Sequence, residues 1–184
     1  MYGLVNKAVE TMVRGSFGDE TWHRIRSAAG REDEPFLSMR TYPDVVTWNL
    51  VAAASQELQM EPDAVLEAFG RYWIRYSAQE GYGQMLSLFG ADLRTFLMNL
   101  DEMHARIGLS FPDLHPPSFS VSEQGPGTVH LHYKSHREGL GAFVVGLVLG
   151  LADRFSEQVD ISLLESKGQG SADDLFLVRW SAST

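Results

Sequence analysis

Apolar residues recur along the first half of the chain at helical spacing. Val5, Ala8, Val9, Met12 and Val13 fall three and four apart and predict a helix, ended by the Gly15-Ser16-Phe17-Gly18 break. Asp19 is placed to cap a second helix running to about Ala29, and residues 31–43 read as a loop with a short ordered piece. Pro43-Asp44 opens a helix to about Leu58, with Val45, Trp48, Leu50, Val51 and Ala52 on its apolar faces, and Pro62 sits near the start of the next. Gly81-Tyr82-Gly83 interrupts before one long amphipathic helix over residues 91–108, whose stripe is Leu93, Phe96, Leu97, Leu100, Met103 and Ile107.

Beyond residue 117 the period changes to two. Residues 118–123, a Gly125-Pro126-Gly127 turn and residues 128–133 predict a β-hairpin. Residues 138–155 read as a helix despite Gly139, Gly141, Gly146 and Gly150. Mid-helix glycine costs about 1 kcal/mol against alanine, so a flat ligand or a neighbouring helix must approach that face closely. Val159-x-Ile161-x-Leu163 and Leu175-x-Leu177-x-Arg179 alternate as two further strands, joined by a loop over residues 167–172. The expected fold is α+β: a helical N-terminal subdomain of about residues 1–62, then a C-terminal subdomain of about 63–184 with helices and a four-stranded antiparallel sheet.

The 184 residues suffice for one domain with a sizeable core. A net charge of −9 argues against nucleic acid or an anionic membrane surface as the main partner. The absence of cysteine excludes disulfides, zinc–thiolate sites and thiol redox sensing within these residues. No apolar run reaches the roughly 18 residues of a membrane span, and no signal peptide opens the sequence, so a cytoplasmic location is expected.

Two segments carry candidate chemistry. His104 falls inside the apolar stripe, which aims an imidazole at the core. Such a histidine is either satisfied by a backbone carbonyl or serves as a metal ligand, and a single proximal histidine can hold a haem iron. On an extended segment Tyr133, Ser135 and Arg137 point to one side, a phenol, a hydroxyl and a guanidinium suited to a carboxylate or phosphate. A solvated strand edge is the alternative. Asp101, one turn before His104, reads as a second partner to it or as a solvated acid. His130, His132 and His136 form a further cluster that lacks the fourth ligand of a zinc site.

Together, Asn99-Leu100-Asp101-Glu102-Met103-His104 and Tyr133-x-Ser135-x-Arg137 resemble the H-NOX (haem-nitric oxide/oxygen binding) family. So do Met1-Tyr2-Gly3-Leu4-Val5-Asn6, Ala68-Phe69-Gly70 with Tyr72-Trp73, and Glu80-Gly81-Tyr82-Gly83. Leu109-Ser110-Phe111-Pro112 leading to Pro116-Pro117 completes a resemblance that runs to about Trp180. It implies haem b buried between the two subdomains, His104 on the iron, and Tyr133, Ser135 and Arg137 on the propionates. It implies that Pro117 presses on the porphyrin and bends it.

Oxygen-binding members of that family carry a tyrosine nine residues after the strand tyrosine; here that position is Ala142. Val5, Val9, Leu140, Phe143 and Val144 are apolar neighbours by the same resemblance, and Trp73 is the one donor among the pocket candidates. The expected activity is a ferrous-haem sensor, not an enzyme, that binds nitric oxide and carbon monoxide and excludes oxygen. It would signal to a histidine kinase, a cyclic-di-GMP enzyme or a guanylate cyclase in trans, or be the sensor part of a larger chain. The competing readings are an oxygen sensor using Trp73, a haem peroxidase or nitric oxide dioxygenase, and a haem-free scaffold.

Overall fold

Apolar stripes of the first helices close on one another. In this computed structural model, which describes residues 1–31, 35–111 and 113–182, the chain forms two compact units, Met1–Phe69 and Gly70–Thr184. In the first, α1 (Gly3–Phe17), α2 (Asp19–Ala28) and α3 (Asp44–Leu58) bury Ala8, Val9, Val13, Trp22, Ile25 and Leu50. Gly3 marks a close approach of backbone in this unit: a Cβ there would lie 2.1 Å from the Leu37 carbonyl oxygen. Gly18, at φ 85°, divides α1 from α2 and occupies the N-cap position that the sequence reading assigned to Asp19. The expected loop over residues 31–43 includes Glu32, Asp33 and Glu34, which lie outside the described residues, as does Pro112.

The second unit takes the C-terminal part of α4 (Pro62–Ser77), then α5 (Gly83–Leu88), α6 (Leu93–Met98), α7 (Leu100–Ser110) and α8 (Gly141–Phe155) around one sheet. Its strands are β1 (Ser118–Gly125), β2 (Thr128–Lys134), β3 (Glu157–Glu165) and β4 (Asp174–Ala182), antiparallel in the order β1-β2-β4-β3. Val129, Leu131 and Tyr133 of β2 and Phe176 and Val178 of β4 turn inward onto Val144, Val148 and Leu151 of α8. The α+β architecture and the four-stranded antiparallel sheet are those expected from the change of period.

Three expectations are corrected. The helix of residues 91–108 is two helices. Asp92 caps α6 by accepting the Thr95 N–H, and Asn99 leaves helical geometry at φ −100°, ψ 4° while its side-chain amide donates to the Phe89 carbonyl at 3.0 Å. Asparagine competes with the helix for such backbone bonds, so the stripe continues across a break. The helix of residues 138–155 starts only at Gly141, because Gly139 sits at φ 75° and turns the chain. Strand β2 ends at Lys134, so Ser135 and Arg137 lie beyond it rather than along it.

The glycines of α8 are explained by a neighbouring helix. A Cβ on Gly150 would lie 2.7 Å from the Arg71 carbonyl oxygen, and one on Gly70 would lie 2.2 Å from that of Phe143. The end of α4 and α8 therefore meet nearly backbone to backbone, and Arg71 adds a two-pronged ion pair to Asp153 at 2.6 and 2.7 Å.

Candidate functional site

His104 stands on α7 beside the buried Met103, and its ring is fixed by one hydrogen bond. Nδ1 lies 2.8 Å from the Leu100 carbonyl oxygen, one turn back. A carbonyl only accepts, so Nδ1 carries the proton and the Nε2 lone pair is left for another partner. Burial holds the imidazole below its ordinary pKa, opposed by the Leu100 bond and the Asp101 charge. The result is a neutral, oriented nitrogen base, the form in which histidine binds metals. The two readings of His104, carbonyl-satisfied or ligand, are thus compatible because they use different nitrogens.

An aromatic row leads from that ring to the strand motif. The His104 and Phe119 rings are 5.3 Å apart, and Phe119 and Tyr133 are 5.2 Å apart as register partners across β1 and β2. Asp101 is exposed, but its Oδ1 accepts the Phe119 N–H at 2.8 Å, which fastens α7 to the start of β1. Asp101 therefore acts on the sheet, neither on His104 by hydrogen bond nor as a merely solvated acid.

At the end of β2 the Tyr133 phenol is buried, and burial raises its pKa. The hydrogen bond from Ser135 and the nearby Arg137 charge oppose that shift, and Asp174 adds to it. Arg137 does not reach this place along an extended strand. The chain bends after Lys134, the Arg137 N–H donates to Ser135 Oγ at 3.1 Å, and its guanidinium donates to the His115 carbonyl at 3.3 Å. That last bond ties the motif to the segment entering Pro116 and Pro117, both half-buried just before β1. The Ser135 hydroxyl and the Arg137 charge thus lie near the Tyr133 phenol because the chain bends after Lys134, and not by the strand alternation the sequence suggested.

Of the other predicted site residues, Trp73 on α4 is half-buried, packs on the core of the second unit and lies 6.1 Å from the Tyr76 ring. Ala142 is half-buried in the first turn of α8. Val5 and Val9 lie one turn apart on α1 in the first unit, Val9 buried and Val5 half-buried. His130 and His132 share the face of β2 opposite Tyr133, and the His136 ring instead meets His115 edge-on at 5.8 Å. Among the described residues no group of three or more histidines and acids is placed to hold a metal ion.

Sequence reasoning passed over Phe119 and Lys167. Phe119 was signalled by its inward position in the alternating strand. Lys167, in the β3–β4 loop, carries no periodic signal. Its ammonium donates to the Ser135 carbonyl at 2.9 Å.

A haem can be held by one neutral imidazole on its iron and by cationic or hydroxylic donors to its two carboxylates. His104, whose Nε2 has no hydrogen-bond partner among the described residues, and the Tyr133, Ser135 and Arg137 donor set fit such a group.

Residues 2–163 match the family model described as "Haem-NO-binding". The chain is 31% identical over 167 residues to the soluble guanylate cyclase gcy-32 of Caenorhabditis elegans, covering 89% of this chain and 24% of that protein. It is 38% identical over 104 residues to the guanylate cyclase soluble subunit beta-2 of Rattus norvegicus, covering 56% of this chain and 15% of that one. The chain thus spans about a quarter or less of the length of these relatives. Among solved structures, an H-NOX protein from S. oneidensis in the Fe(II)NO ligation state superposes with a TM-score of 0.89 at 20% identity, over 98% of this chain and 99% of that one. The Fe(II) unliganded H-NOX protein from K. algicida gives 0.82 at 19%, over 100% and 98%. At such identities these two show the shared fold.

Proposed function

The chain belongs to the haem-NO-binding family, and on that premise we propose that it is a ferrous-haem gas sensor that takes nitric oxide and carbon monoxide and excludes oxygen. The observation that carries the reading is the His104 ring, whose Nδ1 proton is committed to Leu100 while Nε2 remains a neutral base. Haem, when bound, supplies the iron on which a diatomic gas is held. His104 Nε2 would be the ligand to it, with the Leu100 carbonyl fixing both tautomer and ring orientation. Tyr133, Ser135 and Arg137 would receive the propionates, and Pro117, by the family resemblance, would press on the macrocycle.

Gas selectivity rests on what the residues lack. A hydrogen-bond donor over the iron favours oxygen, whereas Ala142, at the position where oxygen-binding members of the family carry a tyrosine, offers none. On this reading the output passes from His104 through α7 to Asp101 and β1, a route supported by the Asp101–Phe119 bond that fastens that helix to the start of the sheet. A ligand drives such a movement only by binding one arrangement better than the other. The guanylate cyclase relatives make a cyclase the first effector to test, with a histidine kinase or a cyclic-di-GMP enzyme as the others.

The test is an anaerobic absorption spectrum of the reduced, haem-loaded protein, repeated in air and then with nitric oxide. A five-coordinate ferrous spectrum indifferent to air and shifted by nitric oxide is expected. A stable complex in air overturns the selectivity and makes Trp73→Phe the next variant. Protein that refuses haem overturns the whole reading, and rapid turnover of peroxide replaces a sensor by an enzyme.

A further inference from the structure

The carboxylate-binding motif ends in an awkward place for a backbone. The β2–β4 ladder runs from Thr128 to Tyr133 and stops, so the Ser135 carbonyl lies past the last rung, in the middle of the Tyr133, Ser135 and Arg137 sequence motif. Lys167 takes that carbonyl, its ammonium 2.9 Å away across 32 residues of chain.

The loop that brings Lys167 there is built for the purpose. Residues Lys167–Gln169 form a single 3₁₀ turn, with Ser166 Oγ accepting the Gly168 N–H and Gly170 closing it at φ 99°. The Ser171 N–H returns to the Ser166 carbonyl. Asp174, buried at the start of β4 and the register partner of Tyr133, accepts the Lys167 N–H at 2.7 Å. One residue, Lys167, is therefore held by its backbone to the partner of Tyr133 and by its side chain to Ser135. With Arg137 bound to Ser135 Oγ on the other side, Ser135 is clamped at both its carbonyl and its hydroxyl.

We propose that Lys167 is a positioning residue for the anion site: the β3–β4 turn latches onto the Ser135 carbonyl and holds the Tyr133, Ser135 and Arg137 donors in the geometry that grips the haem propionates. Lys167 is half-buried, and its ammonium, with further N–H donors beyond the one given to Ser135, would also supply positive charge toward the carboxylates. The latch rests on the haem reading above for its ligand, but not for its geometry. It also gives the β3–β4 edge a direct mechanical link to the motif, a second route by which strain there reaches the sheet.

Lys167→Met keeps most of the stem and removes the cation; Lys167→Arg keeps the cation. The rate of haem loss to apomyoglobin is measured for each. Loss of a charge-assisted hydrogen bond predicts about tenfold faster release from Lys167→Met, and Lys167→Arg is expected within about threefold of the parent. Thermal unfolding confirms that each variant folds. In parallel, hydrogen exchange at the Arg137 amide is followed on the chain as purified, and Lys167→Met is expected to accelerate it. Haem loss from Lys167→Met within about twofold of the parent overturns the latch, because a charged partner is worth more than that. Lys167→Arg as leaky as Lys167→Met overturns it too, because the turn and not the cation would then be at work. A parent that takes up no haem overturns the haem reading instead; the Arg137 exchange then decides the latch alone, unchanged exchange refuting it.

Discussion

Neutrality of the His104 ring comes from burial, and its orientation comes from the Leu100 carbonyl. Phe119 is the residue that makes this arrangement consequential, since its ring separates His104 from Tyr133 and is itself buried. Phe119→Ala is expected to cost about 3–5 kcal/mol in urea unfolding, the usual range for a buried phenylalanine. It should also loosen haem retention, because both neighbouring rings lose their wall. Tyr133 supplies a titration test. Its phenol pKa is raised in the fold, chiefly by burial, so the unfolded chain releases that proton first. The corresponding stability is fully present below the ordinary value near 10 and is lost as pH rises from there through the folded value. Burial raises the Tyr72 phenol as well, so alkaline spectrophotometric titration should show late phenols whose amplitude Tyr133→Phe reduces; an unchanged late amplitude would refute the assignment.

Among elements, α4 and α8 meet nearly backbone to backbone. Alanine in place of a mid-helix glycine ordinarily stabilises by about 1 kcal/mol. At Gly150 the added Cβ would lie 2.7 Å from the Arg71 carbonyl oxygen, and backbone cannot yield cheaply. Gly150→Ala is therefore expected to destabilise by roughly 1–2 kcal/mol despite the better propensity, read from the urea midpoint. The Arg71–Asp153 pair beside it is exposed, so Arg71→Met should change stability little at neutral pH. Asp153 has a depressed pKa, chiefly from the Arg71 hydrogen bonds. Whatever the pair contributes is present above the ordinary aspartate value and fades as pH falls through the lowered one, so parent and variant should converge in acid. The helix period made α7 and α8 legible, but the break at Asn99 was not. It depends on the Phe89 carbonyl, ten residues away, being within reach of the Asn99 amide.

For the whole molecule, the net charge of −9 sets solubility and repels polyanions, and no helix among the described residues is long and apolar enough to cross a membrane. A tightly held cofactor adds to stability by mass action, about 2.7 kcal/mol when free ligand exceeds Kd a hundredfold. Haem-loaded protein should accordingly melt above haem-free protein, and His104→Leu should erase most of that gap. An equal increment in the variant would remove His104 as the ligand.

Local order along this chain could be read without coordinates. The 3.6 and 2.0 periods, the glycine and proline punctuation, the histidine on an apolar stripe and the Tyr133, Ser135 and Arg137 triplet are properties of neighbours in sequence. They yielded the α+β class, the hairpin and the candidate donors. Tertiary structure alone decided that Asp101 serves the sheet, that Phe119 joins His104 to Tyr133, and that Arg137 reaches Ser135 through a turn. It also decided that Lys167 closes on Ser135 and that α8 needs its glycines for α4. Most of these rest on contacts between residues far apart in the chain, and the Arg137 turn arises where β2 runs out of ladder partners. A hydrogen bond is satisfied by whichever donor packing brings within about 3 Å, and sequence spacing carries no record of that distance.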